Sequence, residues 1–287
     1  MSRTPLAYLA GAVLLLGACW PATRWAVQHG AGSAWFALGR AVLSAVSACA
    51  VLGVMGRLRW PGRADMPALL ALGGLQLAAF FALSHAAVEH VGAGRVAVLS
   101  NAVLVPAVPL SVLVLHEKVS RSRWVAAGVA FAGVVVLAGP WTADWHGPGV
   151  AWGGVLLACA ATCWALAIVA MRRWPPATPV GSLLPWAFAL AAALLLPWAL
   201  LHPPGAWTAG SVWALVLIGL FAAPWGTWCV LQAQRLLPVA VSSTGFLLAP
   251  VLGLLLGVAW LGEALTADLV LGAALVLGGA LLAVRRA

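Results

Sequence analysis

Two short clusters of uncharged polar residues interrupt long apolar stretches of this chain, and their chemistry suits the binding of a small molecule. The first is Ser100-Asn101 and the second is Ser242-Ser243-Thr244. Hydroxyl and amide groups can hydrogen-bond the carboxylate and ammonium of a zwitterion without carrying charge themselves. The alternative is structural, because these residue types also hydrogen-bond neighbouring helices or their own backbone carbonyls. We favour binding because both clusters stand close to prolines.

Three prolines follow the polar clusters. Pro106 and Pro109 come after the first cluster, and Pro250 comes after the second. A proline removes one helical hydrogen bond and displaces the carbonyl four residues before it. In lipid such a freed carbonyl must face protein or water. The three prolines are therefore predicted to be deformable hinge points, where broken helices line a cavity at the membrane midplane.

Four tryptophans lie deep within apolar runs, whereas most of the others lie near the ends of runs, as in an interfacial belt. A deep tryptophan can form a cavity wall that stacks on substrate rings or meets an ammonium group, although core packing explains it equally well. Gln232 and His85 are further polar candidates, and a hydrogen-bonded packing role is the alternative for the histidine. The deep tryptophans are Trp20, Trp164, Trp225 and Trp228.

Few charges lie inside the apolar runs. Arg40 lies about 10 Å along its run, at 1.5 Å per helical residue, and a charge at that depth is costly. It either serves function or forms a structural ion pair, for example with Glu89 or Glu263. Glu263 and Glu117 stand just after two apolar runs and are predicted to be structural charges. Arg24 is closer to the end of its run, where a long side chain can reach the interface.

The composition predicts an all-α membrane protein that crosses the bilayer many times. Of the 287 residues, 64% are hydrophobic and only 7% are charged, too few charges to cover a soluble domain. Ten apolar runs of roughly 20 residues, the length that crosses a bilayer, fill the chain. The predicted spans are 6–27, 33–55, 66–87, 94–115, 123–139, 149–171, 180–201, 209–232, 239–260 and 267–284.

The distribution of positive charge predicts the orientation. With the N-terminus in the cytoplasm, twelve Lys and Arg residues flank the spans on the cytoplasmic side, and Arg95 alone flanks them on the outside. This is the positive-inside bias, and it places both termini in the cytoplasm. The net charge of +9 therefore does not indicate a nucleic-acid partner.

The two halves of the chain repeat one another. Glu117 and Glu263 are 146 residues apart (263 − 117), and Gly133 and Gly279 keep the same spacing (279 − 133). Such offsets indicate duplication. Each half has five spans, an odd number, so the second half must be inverted. The predicted domains are 1–140 and 149–287, joined by a linker at 141–148.

Taken in order, several of these residues resemble the drug/metabolite transporter superfamily in its EamA-domain branch. Overall likeness is greatest to the YddG-type exporters of aromatic and other amino acids. The resemblance implies two inverted five-helix repeats and transport without catalysis. The halves are unequal, because the counterpart of Arg40 is Leu184 and Pro109 has no partner. The resembling residues are Trp20, Trp164, Arg40, Pro106, Pro250, Glu117-x-x-Ser120 and Glu263-x-x-Thr266.

From these features we expect an amino acid exporter of the bacterial inner membrane, broad in specificity and working by alternating access. It is expected to be a monomer in the lipid bilayer, not an enzyme, with no cofactor, no metal and no nucleic-acid partner. One alternative is a carrier for another metabolite or drug, although a nucleotide sugar would need deep Lys or Arg and only Arg40 fits. A cation would need a deep Glu, which is absent. A channel or a membrane-embedded enzyme is a further alternative.

Overall fold

A computed structural model describes residues 3–138, 149–237 and 245–285, and these residues form ten helical segments. Eight segments are long and apolar enough to cross a membrane, and α5 and α9 add two apolar helices. The prediction of an all-α protein that crosses the membrane many times is confirmed. The segments are α1 (Arg3–Gly17 and Cys19–Gln28), α2 (Ser33–Val54), α3 (Arg63–Val88), α4 (Ala93–Leu99 and Leu104–Leu115), α5 (Arg121–Ala138), α6 (Val150–Arg173), α7 (Val180–Leu200), α8 (Ala209–Leu236), α9 (Leu248–Leu261) and α10 (Ala267–Arg285).

Segment α4 is broken at residues 100–103, which form a turn between its two helices. Pro106 has no amide N–H to donate to the carbonyl of Ala102, so the helical hydrogen bonding is interrupted one turn before the proline. In α9 the regular helix begins at Leu248, just after a turn at Leu247, with Pro250 in its first turn. The prolines therefore place a helix break at equivalent points of the two halves.

The last turns of α4 and α9 are also equivalent. His116 follows α4 with φ 53°, and Gly262 follows α9 with φ 67°, so both residues adopt the left-handed conformation that ends a helix. The two residues are 146 positions apart (262 − 116). Glycine adopts this conformation without strain, whereas histidine does so at a cost. The repeat thus preserves backbone geometry where the residue types differ.

The helix ends gather on two faces. At the basic face, the indole N–H of Trp186 donates to the carbonyl of Arg59 at 2.8 Å, which joins the α2–α3 loop to α7. At the opposite, acidic face, Gly149 lies against the ring of His90. We define the basic face by Arg57, Arg59, Arg63, Lys118, Arg121, Arg123, Arg172 and Arg173, and the acidic face by Glu89, Glu263 and Asp268.

The direction of the helices shows that the second half is inverted. Segment α1 runs toward the acidic face, where the loop that follows it pairs with the α7–α8 loop through Ala31 and Gly205. Segment α6, the first of the second half, begins at the acidic face and runs toward the basic face. Helix packing follows the same symmetry: α1 packs on α8 and α9, and α6 packs on α3 and α4. Three further pairs, α2–α7, α4–α9 and α5–α10, join equivalent helices.

The α5–α10 pair shows this symmetry at atomic detail. A methyl group placed on Gly133 would lie 2.7 Å from the carbonyl oxygen of Gly272, and one on Gly279 would lie 2.6 Å from that of Ala126. Both approaches are too close for any side chain, so glycine lets the two backbones meet. The symmetry extends to α3 and α8, in which residues 70–79 and 217–222 are π-helical. Nothing in the sequence predicted these wider turns.

Candidate functional site

A cavity of about 400 Å³ lies between the two halves, beside the break in α4. Both halves contribute to its wall, with α1 to α4 on one side and α6 to α9 on the other. We call it the central cavity. The described residues that line it are Ala12, Leu16, Gly17, Cys19, Trp20, Arg40, Leu77, Phe80, Phe81, Ser100, Asn101, Val103, Trp164, Ile168, Phe188, Ala223, Thr227, Val230, Phe246, Ala249 and Pro250.

The central cavity extends along the membrane axis. Ile168 lies five residues before the end of α6, and Val230 lies six residues before the end of α8, so both are about 8 Å from the basic face. At the other end, Arg40 is seven residues from the start of α2, about 10 Å from the acidic face. The cavity therefore spans the midplane and approaches both faces without a charged residue other than Arg40 among the described residues of its wall.

Aromatic rings form much of the wall. The rings of Trp20 and Phe80 meet edge to face with centroids 6.0 Å apart, and Phe80 meets Trp164 in the same way at 4.6 Å. Trp20 belongs to the first half and Trp164 to the second, 144 residues apart (164 − 20), and both contact Phe80. Edge-to-face contacts of this kind fix ring orientation. The cavity thus has a rigid aromatic wall built by both repeats.

Arg40 is the charged residue of this wall. It is 6% exposed, and its guanidinium carbon lies 4.4 Å from the ring centroid of Phe81 and 5.9 Å from that of Trp20. Among the described residues, its Nε and Nη1 atoms have no hydrogen-bond partner. The ion pair with Glu89 or Glu263, which the sequence left open, is not present in the described part of the chain, where Glu263 contacts α4 instead.

The break in α4 presents polar groups to the cavity. The amide nitrogen of Asn101 donates to the carbonyl of Ala97 at 2.7 Å, and the hydroxyl of Ser100 donates to the same carbonyl at 3.3 Å. This hydrogen bond uses one of the two N–H groups of Asn101, so the second N–H and the side-chain oxygen remain as a donor and an acceptor at the cavity. The equivalent cluster, Ser242-Ser243-Thr244, lies outside the described residues.

Four candidates lie away from the central cavity. Trp225 and Trp228 line a small groove between α2, α7 and α8, with Leu184 on its far side. His85 is fully buried behind the aromatic wall, where its Nδ1 atom hydrogen-bonds the carbonyl of Phe81 at 2.8 Å. Gln232 is half-buried near the end of α8 and does not line the cavity.

The three prolines occupy different places. Pro250 is buried and lines the central cavity. Pro106 lines a second, largely apolar cavity of about 150 Å³ between α4, α5 and α6. Pro109 lies inside the second helix of α4, which continues through it. Space beside the broken segment at Pro106 leaves room for the adjoining half-helix to shift.

Glu263 ties α9 to α4 at the acidic face. Its carboxylate accepts hydrogen bonds from the backbone N–H groups of Ala93 and Gly94, at 2.5 and 2.9 Å, at the first turn of α4. Unpaired N–H groups and the helix dipole both favour a negative charge there. Nearby, the guanidinium of Arg24 donates to the carbonyl of Val88. The sequence predicted the charge at Glu263 as structural but gave no sign of its backbone partners.

A second contact joins α4 to α10 at the same face. Arg95 and Asp268 form an ion pair at 2.7 Å, with side chains 6% and 13% exposed. At the basic face, Glu117 pairs with Arg172 at 3.4 Å, with side chains that are 39% and 59% exposed. Residues 239 and 240, which match Ala93 and Gly94 in the repeat, lie outside the described residues.

Sequence reasoning missed several of these positions. Phe80 and Phe81 are apolar residues in an apolar span, so the sequence pattern does not distinguish them from residues that only pack in the core. Thr227 also lines the cavity, but its hydroxyl donates to the carbonyl four residues back, which is the ordinary behaviour of threonine in a membrane helix. The sequence marks Arg95 only as a charge that flanks a span, and its pairing with Asp268 across the repeat cannot be inferred from spacing.

Comparison with known proteins identifies the family of this chain. A profile of the family described as "EamA-like transporter family" matches residues 4–139 and 151–285. No curated protein sequence matches the chain. Among solved structures, the crystal structure of one protein covers 99% of this chain and 98% of its own length, with a TM-score of 0.66 and 21% sequence identity. This likeness concerns the fold.

Proposed function

The chain belongs to the EamA-like transporter family, and on that premise we propose that it exports amino acids, aromatic ones among them, across the bacterial inner membrane. The proposal depends mainly on the central cavity between the repeats. A volume of about 400 Å³ falls in the range of small-molecule sites, about 300–1,000 Å³. An indole or phenyl ring fits against a wall of Trp20, Phe80 and Trp164.

The polar groups of the cavity suit a zwitterion better than the competing substrates. Asn101 offers an uncharged acceptor for an ammonium group, and Arg40 offers a cation for a carboxylate. A nucleotide sugar carries two phosphates and would call for more than one deep cation, whereas a cationic drug would call for a deep carboxylate. Among the described residues the cavity wall offers one cation and no acid.

We propose that transport proceeds by alternating access. At the acidic face, Glu263 and the Arg95–Asp268 pair hold α4 to the ends of α9 and α10, and we take this face as the closed one. The positive-inside bias assigns the basic face to the cytoplasm. In this arrangement the protein would receive substrate from the cytoplasm, and bending at the breaks beside Pro106 and Pro250 would open the acidic face.

The test is a substrate panel in liposomes that contain the purified protein. Preloaded unlabelled tryptophan should drive saturable uptake of labelled tryptophan, phenylalanine and leucine, while a nucleotide sugar and a quaternary ammonium compound should not enter. Replacing Trp164 by Ala should raise KM more for tryptophan than for leucine, because the wall loses an aromatic face. Trp174→Ala, at the exposed end of α6, is the matched control. Uptake of no amino acid would contradict the proposal, and flux that does not saturate would indicate a channel.

A further inference from the structure

Arg40 lies in an environment that leaves its charge uncompensated. Within the described ranges no carboxylate pairs with it, and two of its three nitrogens are buried without a hydrogen-bond partner. A buried guanidinium normally binds an acid or several carbonyls, because desolvation of an unpaired charge is very unfavourable. Contacts with the rings of Phe81 and Trp20 stabilise the cation in part, but aromatic faces do not accept its N–H hydrogen bonds in the way that an anion does.

Two acids of the acidic face are already engaged. Glu263 accepts from two backbone amides of α4, and Asp268 pairs with Arg95. A rearrangement that gave Arg40 either partner would break a contact that closes the acidic face. The missing partner is therefore better supplied from the cavity that Arg40 lines.

We propose that Arg40 is the binding residue for the substrate's carboxylate, so that the substrate class is one with a single carboxylate and an apolar or aromatic body. This inference rests on the proposed function and deepens it. The guanidinium presents paired N–H donors that match the two oxygens of a carboxylate. The rings of Trp20 and Phe81 hold the guanidinium from the side, and the oxygen of Asn101, at the break in α4, is left for the ammonium group.

The repeat supports a single anion site. The counterpart of Arg40 in the second half is Leu184 (40 + 144), which is buried and lies between α2, α7 and α8. A substrate with one carboxylate would thus bind in one orientation, its anionic end toward the acidic face. A symmetric cavity with two such arginines would instead suit a dianion.

The experiment compares an indole compound that carries both a carboxylate and an ammonium group with compounds that carry only one of the two. Wild-type protein in liposomes is offered L-tryptophan, tryptamine and indole-3-propionate, and each compound is also tested for thermal stabilisation of the protein in detergent. We expect both carboxylates to bind about 10- to 100-fold more tightly than tryptamine, the range for loss of hydrogen bonds to a charged group. Tryptamine that is carried or bound as well as tryptophan would overturn the inference.

Variants then assign the preference to Arg40. Arg40→Gln and Arg40→Met should raise KM for tryptophan about 10- to 100-fold and remove the preference over tryptamine, whereas Arg40→Lys should retain part of it. Arg24→Gln, which removes an arginine of α1 that does not line the cavity, should keep the preference. An Arg40→Met protein that still prefers tryptophan over tryptamine in the binding assay would contradict the assignment.

The two proposals fail in different ways. Wild-type protein that transports no amino acid contradicts the proposed function. If that protein is nevertheless stabilised by indole-3-propionate and not by tryptamine, the role of Arg40 in binding carboxylates is supported. If neither compound, nor tryptophan, stabilises it, the role of Arg40 is contradicted as well.

Discussion

The two faces of the protein use the same repeated motif in different ways. Glu263 and Glu117 each follow a residue in the left-handed conformation at the end of a helix, 146 residues apart. Glu263 binds the backbone N–H groups at the first turn of α4, whereas Glu117 forms an exposed pair with Arg172. The repeat therefore preserves the local backbone, while the partners of the two carboxylates differ.

This difference suggests what happens when the cavity changes sides. In the proposed cycle, opening of the acidic face would release Glu263 from Ala93 and Gly94. In the same proposed cycle, Glu117 at the equivalent position of the first half would hold the basic face closed. The two glutamates would then act as alternate latches. Variants at each face test whether the contacts of the two faces differ in strength. The largest loss of stability is expected for the most deeply buried contact.

Asp268→Asn is expected to have the largest effect on stability. The substitution leaves the guanidinium of Arg95 buried beside a neutral amide, and breaking a buried ion pair in this way costs about 3 kcal/mol. The unfolding temperature of the detergent-solubilised protein should fall by several degrees. Arg172→Gln removes the exposed pair at the basic face and should cost less than about 1 kcal/mol. Equal losses of stability in the two variants would show that the buried and the exposed ion pair contribute alike, contrary to this expectation.

Glu263→Gln should have the next largest effect. Ala93 and Gly94 donate to different oxygens of the carboxylate. The single oxygen of glutamine can keep one of these hydrogen bonds but not both, and the charge at the helix N-terminus is lost, a change of about 2 kcal/mol. The acidic face should open more often, which would appear as faster labelling of a cavity cysteine from that side. Glu117→Gln is the matched control, and it should leave labelling from the acidic side unchanged. Faster labelling in the control alone would reverse the assignment of the latches.

The smallest effect is expected at the helix ends before the two glutamates. His116→Gly should stabilise the protein by about 0.5–1 kcal/mol, because glycine adopts the left-handed conformation without strain. Gly262→Ala should destabilise it by a similar amount. The thermal unfolding temperatures of the two variants, each compared with the wild type, test both expectations. A loss of stability in His116→Gly would mean that the imidazole has a structural role of its own.

The sequence predicted the parts of this structure that depend on periodicity and backbone chemistry. The apolar runs predicted the helices. Pro106 predicted the break in α4, because a missing N–H removes a hydrogen bond within the same helix. Positions that depend on helix rotation were harder to predict. Trp225 and Trp228 lie in an apolar span with the same local signal as Trp20, yet the rotation of α8 directs them to a separate groove.

Contacts between the halves were beyond sequence reasoning for a different reason. The partners of Glu263 and Arg24 are backbone groups of Gly94 and Val88, and every residue but proline carries such groups, so no residue type marks them. The offset near 146 residues did identify equivalent positions. It could not show which of two equivalent contacts is formed.

The central claim is that the break in α4 faces a cavity between inverted repeats, reached from the basic face. Asn101→Cys, in a protein whose five native cysteines are replaced by alanine, tests it most directly. Trp60→Cys and Leu201→Cys, both exposed, mark the basic and acidic faces. A membrane-impermeant maleimide should label position 101 from the side that labels position 60. Labelling only from the side that labels position 201, or only by a lipid-soluble maleimide, would contradict the claim.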